Sequence, residues 1–263
     1  MPSIADQAYL RQQYKNASNL NDRIQLHVRF STNRYDFHRW VFEQLQLAPS
    51  SRVLELGCGP GSLWRPNLER IPAGWQITLT DFSPGMLDEA RANLAGAHRF
   101  AFELADAQAI PFAGAEFDAV IANHMLYHVP DRPKAFSEIR RVLRPGGRFY
   151  AATNGEAHLR EMHELVREFD PTIGGWRQPG DQTFTLEQGQ AELARWFPHV
   201  QLRRFESALA VTEAEPLAAF VASMAGDALA GARRAEFTRF VEQRLAADGM
   251  IHITKDTGLF EAY

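Results

Sequence analysis

Three glycines at alternate positions, Gly57, Gly59 and Gly61, follow the apolar run around Val53, Leu54 and Leu56 in VLELGCGPG. Such a run, ending at once in glycines, reads as a buried parallel strand that breaks into a tight turn before the next element. A helix is expected to begin near Ser62. Glycine suits the turn because it accepts positive φ and lets another group approach the backbone closely. The next apolar run, QITLT, ends at Asp81, twenty residues beyond Gly61. An acid at that remove, at the end of the second strand of a βαβ unit, is placed to take a ribose diol.

The glycine spacing narrows the nucleoside. A dinucleotide fingerprint is G-x-G-x-x-G, with a helix N-terminus aimed at pyrophosphate. Here the spacing is G-x-G-x-G, and Pro60 removes an amide that could hold phosphate. No G-x-x-x-x-G-K-[ST] occurs, which excludes a P-loop. From Arg52 onward strand and helix patterns alternate, implying a parallel sheet covered on both faces. Strands are expected at 52–56, 76–80, 99–104, 117–122 and 147–154, then at 199–205, with IHITKDTGLF as the closing strand. Ser83-Pro84 and Asp131 read as helix N-caps. Amphipathic helices are expected around 37–45, 159–169, 185–197, 214–225 and 237–245.

VLELGCGPG, Asp81, ELADA, FDAVIANHMLYHVPD and VLRPGG together resemble the class I S-adenosylmethionine-dependent methyltransferases, in particular the subgroup that includes ubiquinone and menaquinone methyltransferases. The likeness covers about residues 50–154 and returns at the terminal strand. It implies a Rossmann-like, doubly wound α/β fold: a seven-stranded, mostly parallel sheet with an antiparallel last strand, plus a helical cap. The expected division is an N-terminal helical cap segment (1–47), the cofactor-binding core (48–154), a substrate cap or lid (155–198) and the rest of the core sheet (199–263). The implied activity is methyl transfer from S-adenosyl-L-methionine to a small-molecule acceptor. A protein that binds the cofactor without methylating is the main alternative, and a nicotinamide-dependent oxidoreductase the lesser one.

By the same resemblance the turn Gly57, Gly59, Gly61 packs against the methionine part of the cofactor and Asp81 holds the ribose hydroxyls. Phe82 and Met86 contact adenine, Asp106 accepts from its amino group, and Ala107 offers a neighbouring amide. The backbone carbonyl of Asn123 faces the methionine amine, with Glu55 nearby. Arg29 is the upstream candidate for the cofactor carboxylate, where a guanidinium fork fits, and a surface arginine is the competing reading. His124 and His128 follow the fourth strand and are the candidate general bases. The competing reading makes them packing residues of the pocket. His124, His128 and Asp131 lack a fourth ligand, so no metal is expected. Trp176 and Phe184 either face substrate or pack the lid down.

The remaining classes are set by composition. Lysine and arginine total 28 against 32 acids, a net charge of −4, which disfavours a nucleic-acid partner. The single cysteine forms no internal disulfide and fits a reducing compartment. Without an apolar leader or a spanning apolar run, the chain reads as cytoplasmic, with no membrane partner.

Overall fold

The computed structural model describes residues 25–97, 100–173 and 184–263. Residues 1–24 and most of the expected lid loop, with Trp176, lie outside the described residues.

Strands β1 (Arg52–Leu56), β2 (Gln76–Asp81), β3 (Phe100–Leu104), β4 (Phe117–Asn123) and β5 (Leu143–Asn154) are joined in parallel. Strand β6 (Val200–Arg204) and the terminal strand β9 (Thr257–Ala262) complete a seven-stranded sheet of order β3-β2-β1-β4-β5-β9-β6. β9 runs antiparallel to both of its neighbours, β5 and β6. The strand order reverses between β1 and β4, so the carboxyl ends of those strands open the crevice where such sheets bind ligands.

Helices follow their caps. Asp36 accepts from the Arg39 N–H to start α1 (Phe37–Gln44). Ser83 accepts from Met86, with Pro84 in the first turn, to start α2 (Pro84–Asn93). Asp131 does the same through Lys134 for α3 (Arg132–Val142). Each cap satisfies a backbone N–H that the first helical turn leaves open. One face of the sheet buries Leu54, Val120, Phe149 and Phe260 against α3 and against α5 (Leu186–Leu193). The other buries Val53, Ile77 and Ile121 against α1 and α2.

The expected helix near Ser62 does not form. Residues 61–64 make turns and Arg65–Arg70 a 3-10 helix. Pro66 has no N–H to give the Ser62 carbonyl, and its ring would clash there, so an α-helix starting at 62 fails in its first turn. The expected closing strand is also two strands. β8 (Ile251–Lys255) pairs antiparallel with β7 (Ser207–Val211) in a separate small sheet, and the chain turns at Asp256 before β9.

A third apolar core unites the helical residues 25–30, α4 (Arg160–Phe169), β7, β8, α6 (Ala214–Ala225) and α7 (Ala232–Asp248). Residues 31–33 extend its sheet, with Thr32 N–H on Ala208 O and the Asn33 amide on Glu206 O. Phe184, Leu186, Leu193 and Phe197 instead pack into the main core. The cap therefore draws on 25–33, 159–173 and 207–255, while the chain from Phe184 to Leu202 belongs to the sheet. Phe184 is fully buried between Phe136 and Phe260 and is a packing residue. Among the described residues no helix is long and apolar enough to cross a membrane.

Candidate active site

The glycine turn is shaped by its own backbone. Gly57, Gly59 and Gly61 have φ of +65°, +54° and +80°, where L side chains are disfavoured. They differ in surroundings. A Cβ at Gly57 would lie 2.8 Å from Cβ of Met125, and one at Gly61 would lie 2.9 Å from Leu94 Cδ1. A Cβ at Gly59 would meet nothing within 4 Å among the described residues. Gly57 and Gly61 are small for packing; Gly59 keeps a space open.

Asp81, at the end of β2, ties this turn to the next. Its carboxylate accepts from the Gly59 N–H at 2.9 Å and the Ser83 N–H at 2.8 Å, while Ala105 N–H bonds to its carbonyl. Burial raises its pKa, and the amides of Ser83, Gly59 and Phe82 work against that shift. Phe82 is half-buried beside it, and Met86 is buried in the first turns of α2. Asp106 is one residue beyond Ala105 and accepts from the backbone and side chain of Gln108. Ala107 is buried in the core beneath it.

Glu55 lies beneath the turn, 2% exposed. Its carboxylate accepts from Trp64 Nε1 at 2.6 Å and from the Asn123 amide at 3.4 Å. Burial pushes its pKa up to about 7, only partly opposed by those two donors. Asn123 keeps its Oδ1 buried and without a hydrogen bond among the described residues. Trp64 was not singled out from sequence, although an indole nine residues after a buried acid is a donor such an acid requires. Burial, then Glu55 and Asp81, push the Cys58 thiol well above its ordinary value, which removes it as a nucleophile.

His124 takes φ of +52° just past β4, with its N–H on Ala152 O and its ring against Phe37. Burial draws its pKa down to about 4, helped by His38 and Lys255. His128 ends a 3-10 turn, Leu126–His128, and packs edge-on against Tyr127. The expectation for Arg29 is not met by the geometry. Its guanidinium pairs with Glu213 in the cap and is 44% exposed, so it makes a cap ion pair. No metal-binding cluster occurs among the described residues.

Residues 54–151 match the family model described as a methyltransferase domain. Over 123 residues the chain is 37% identical to malonyl-[acyl-carrier protein] O-methyltransferase of Enterobacter lignolyticus, covering 46% of this chain and 45% of that protein. Among solved structures, the [4+2]-cyclase SpnF has a TM-score of 0.60 at 19% identity, covering 99% of this chain and 97% of that one. Phosphoethanolamine N-methyltransferase 2 of Haemonchus contortus, solved in complex with S-adenosyl-L-methionine, has a TM-score of 0.59 at 17% identity, covering 100% and 60%. The strand order agrees with the fold of these solved structures, and the glycine turn falls within the stretch matched as a methyltransferase domain. The chain spans about half the length of the curated relatives it matches.

Proposed function

We propose that the chain transfers a methyl group from S-adenosyl-L-methionine to a small-molecule acceptor, leaving S-adenosylhomocysteine. The observation that carries this is Gly59: no described residue lies within 4 Å of its Cβ position, and its N–H locks the turn to Asp81 across the β1–β2 pair. The turn and the Glu55–Asn123 pair fit the cofactor's amino-acid end, since a buried acid near pKa 7 and an unpaired amide oxygen both suit an ammonium. In this reading Asp81 holds the ribose hydroxyls and Phe82 and Met86 flank the adenine. Asp106 and Ala107 address its polar edge.

When bound, S-adenosyl-L-methionine supplies an activated methyl on a sulfonium. What remains for the chain is to hold the acceptor in line, exclude water and, where needed, take a proton. The cap core over the carboxyl ends of β4 and β5 serves the first two tasks. The net charge of −4 supports a small acceptor over a nucleic acid, and the single buried cysteine fits a cytoplasmic setting. The fold is shared with a protein named as a cyclase, so transfer itself has to be measured. Incubation with methyl-labelled cofactor and a metabolite extract should move label into small molecules. Cofactor binding with no labelled product would leave a binding protein.

Two expected results follow for individual residues. Asp81→Ala should weaken S-adenosylhomocysteine by about 1.5–3 kcal/mol, the scale of a hydrogen bond to a charged group. Unchanged calorimetric affinity in a folded variant would remove Asp81 from the site. For proton removal, His124 at about 4 stays neutral across the physiological range and is a weak base. The transfer rate should therefore show no loss attributable to His124 between pH 8 and 5. A step near pH 6.5 that disappears in His124→Asn would contradict this.

A further inference from the structure

The cap hairpin carries a cation, Lys255, that makes no ion pair among the described residues. Along β8, Ile251 and Ile253 are buried and His252 is exposed, so the alternation turns Lys255 to the same face as the two isoleucines. Its register partner on β7 is Ser207, which continues the row of buried Leu209 and Val211. Ser31 completes the group from the neighbouring segment, with its Oγ 3.1 Å from Lys255 Nζ and 3.2 Å from Ser207 Oγ. Burial lowers the Lys255 pKa, with Asp36 opposing the shift.

The surrounding carboxylates are already committed. Asp36 caps α1 and lies 3.9 Å from His38. Glu161 accepts from the Thr254 backbone and hydroxyl, and Asp256 pairs with Arg204. Among the described residues, Lys255 has the Ser31 hydroxyl as its hydrogen-bond partner and makes no ion pair. His124 makes no side-chain hydrogen bond among the described residues, and Nδ1 of His27 is buried without one. His27 and His124 both feel the charge of Lys255. A network built for stability closes such valences, because a half-buried cation whose nearby carboxylate makes no direct pair with it is costly.

We propose that Lys255 and Ser31 form a subsite for one carboxylate of the methyl acceptor, where the cap hairpin meets the end of β5 through the Gly155 N–H on Asp256 O. One cation with hydroxyl donors beside it balances a monoanion, whereas a phosphate dianion calls for more positive charge. The acceptor is the source because Lys255 and Ser31 belong to the cap and lie outside residues 54–151, the matched methyltransferase domain. The subsite rests on the methyl-transfer reading and extends it to the class of acceptor.

The test uses the full chain saturated with S-adenosylhomocysteine, so that the cofactor's own carboxylate is already supplied, and titrates it with benzoate or its neutral counterpart benzamide. Benzoate should bind at least tenfold tighter than benzamide. Lys255→Met, which keeps the apolar stem, should erase that preference and leave S-adenosylhomocysteine affinity within twofold. Ser31→Ala should reduce the preference severalfold, and it serves as the readout if the lysine variant does not fold. Equal binding of benzoate and benzamide, or no benzoate binding, would overturn the subsite. A tenfold loss of S-adenosylhomocysteine affinity in Lys255→Met would assign the site to the cofactor and overturn it too. Failure of the wild-type chain to bind S-adenosylhomocysteine would instead strike the methyl-transfer reading itself.

Discussion

Gly59→Val should all but abolish S-adenosylhomocysteine binding in a chain that still folds. The substitution acts twice. At φ of +54° a β-branched residue is strained by about 1–2 kcal/mol. Its side chain also enters a part of the turn where no described residue lies within 4 Å. Filling that space should cost on the order of 10²-fold in affinity or more, about 3 kcal/mol. Gly59→Ala carries less strain and less bulk and should fall between. Gly57→Ala gives the contrast, because its Cβ would collide with Met125 rather than with a ligand. That variant should lose melting temperature first. Normal binding by folded Gly59→Val would mean that the turn does not touch the cofactor.

The second large effect is on stability. Glu55 titrates at about 7 in the folded chain against 4.5 as its ordinary value, chiefly because burial penalises the carboxylate. A raised folded pKa means that the stabilising contribution is complete below about 4.5 and is lost as pH rises through about 7. A shift of that size corresponds to about 3 kcal/mol. Glu55→Gln keeps an acceptor for Trp64 Nε1 and cannot ionise, so its stability should be flatter over that window. Urea unfolding of both proteins at pH 5 and pH 8 measures the difference. Parallel pH dependence in the two would show that Glu55 is not the group responsible. If the cofactor's ammonium sits beside Glu55 as proposed, binding near pH 6 should also release a proton, visible as a buffer-dependent heat.

What could be read from the chain was local. The β1 run, the glycine turn, Asp81 at the end of β2 and the caps Ser83 and Asp131 depend on residues a few positions apart, and they form as expected. The missing helix after Ser62 was also a local matter, since Pro66 forbids it. Long-range pairing was not legible. Arg29 finds Glu213, 184 residues away, because residues 31–33 extend the β7–β8 sheet, and no motif encodes that. The break at Asp256 was hidden for a similar reason. IHITKDTGLF is apolar enough for one strand, yet its halves serve different cores, and at Gly258 a side chain would press within 2.7 Å of the Arg203 carbonyl. Lys255 was missed although the alternation Ile251, Ile253, Lys255 signals an inward-facing cation once the strand is known to end there.

The glycine turn and Asp81 are proposed to hold S-adenosylmethionine rather than a dinucleotide. Titration calorimetry of the wild-type chain with S-adenosylhomocysteine and, separately, with NADH tests it most directly. A saturable isotherm for S-adenosylhomocysteine in the micromolar range, roughly −8 kcal/mol, is expected, with no saturable heat from NADH. Saturable binding of NADH with none of S-adenosylhomocysteine would contradict it.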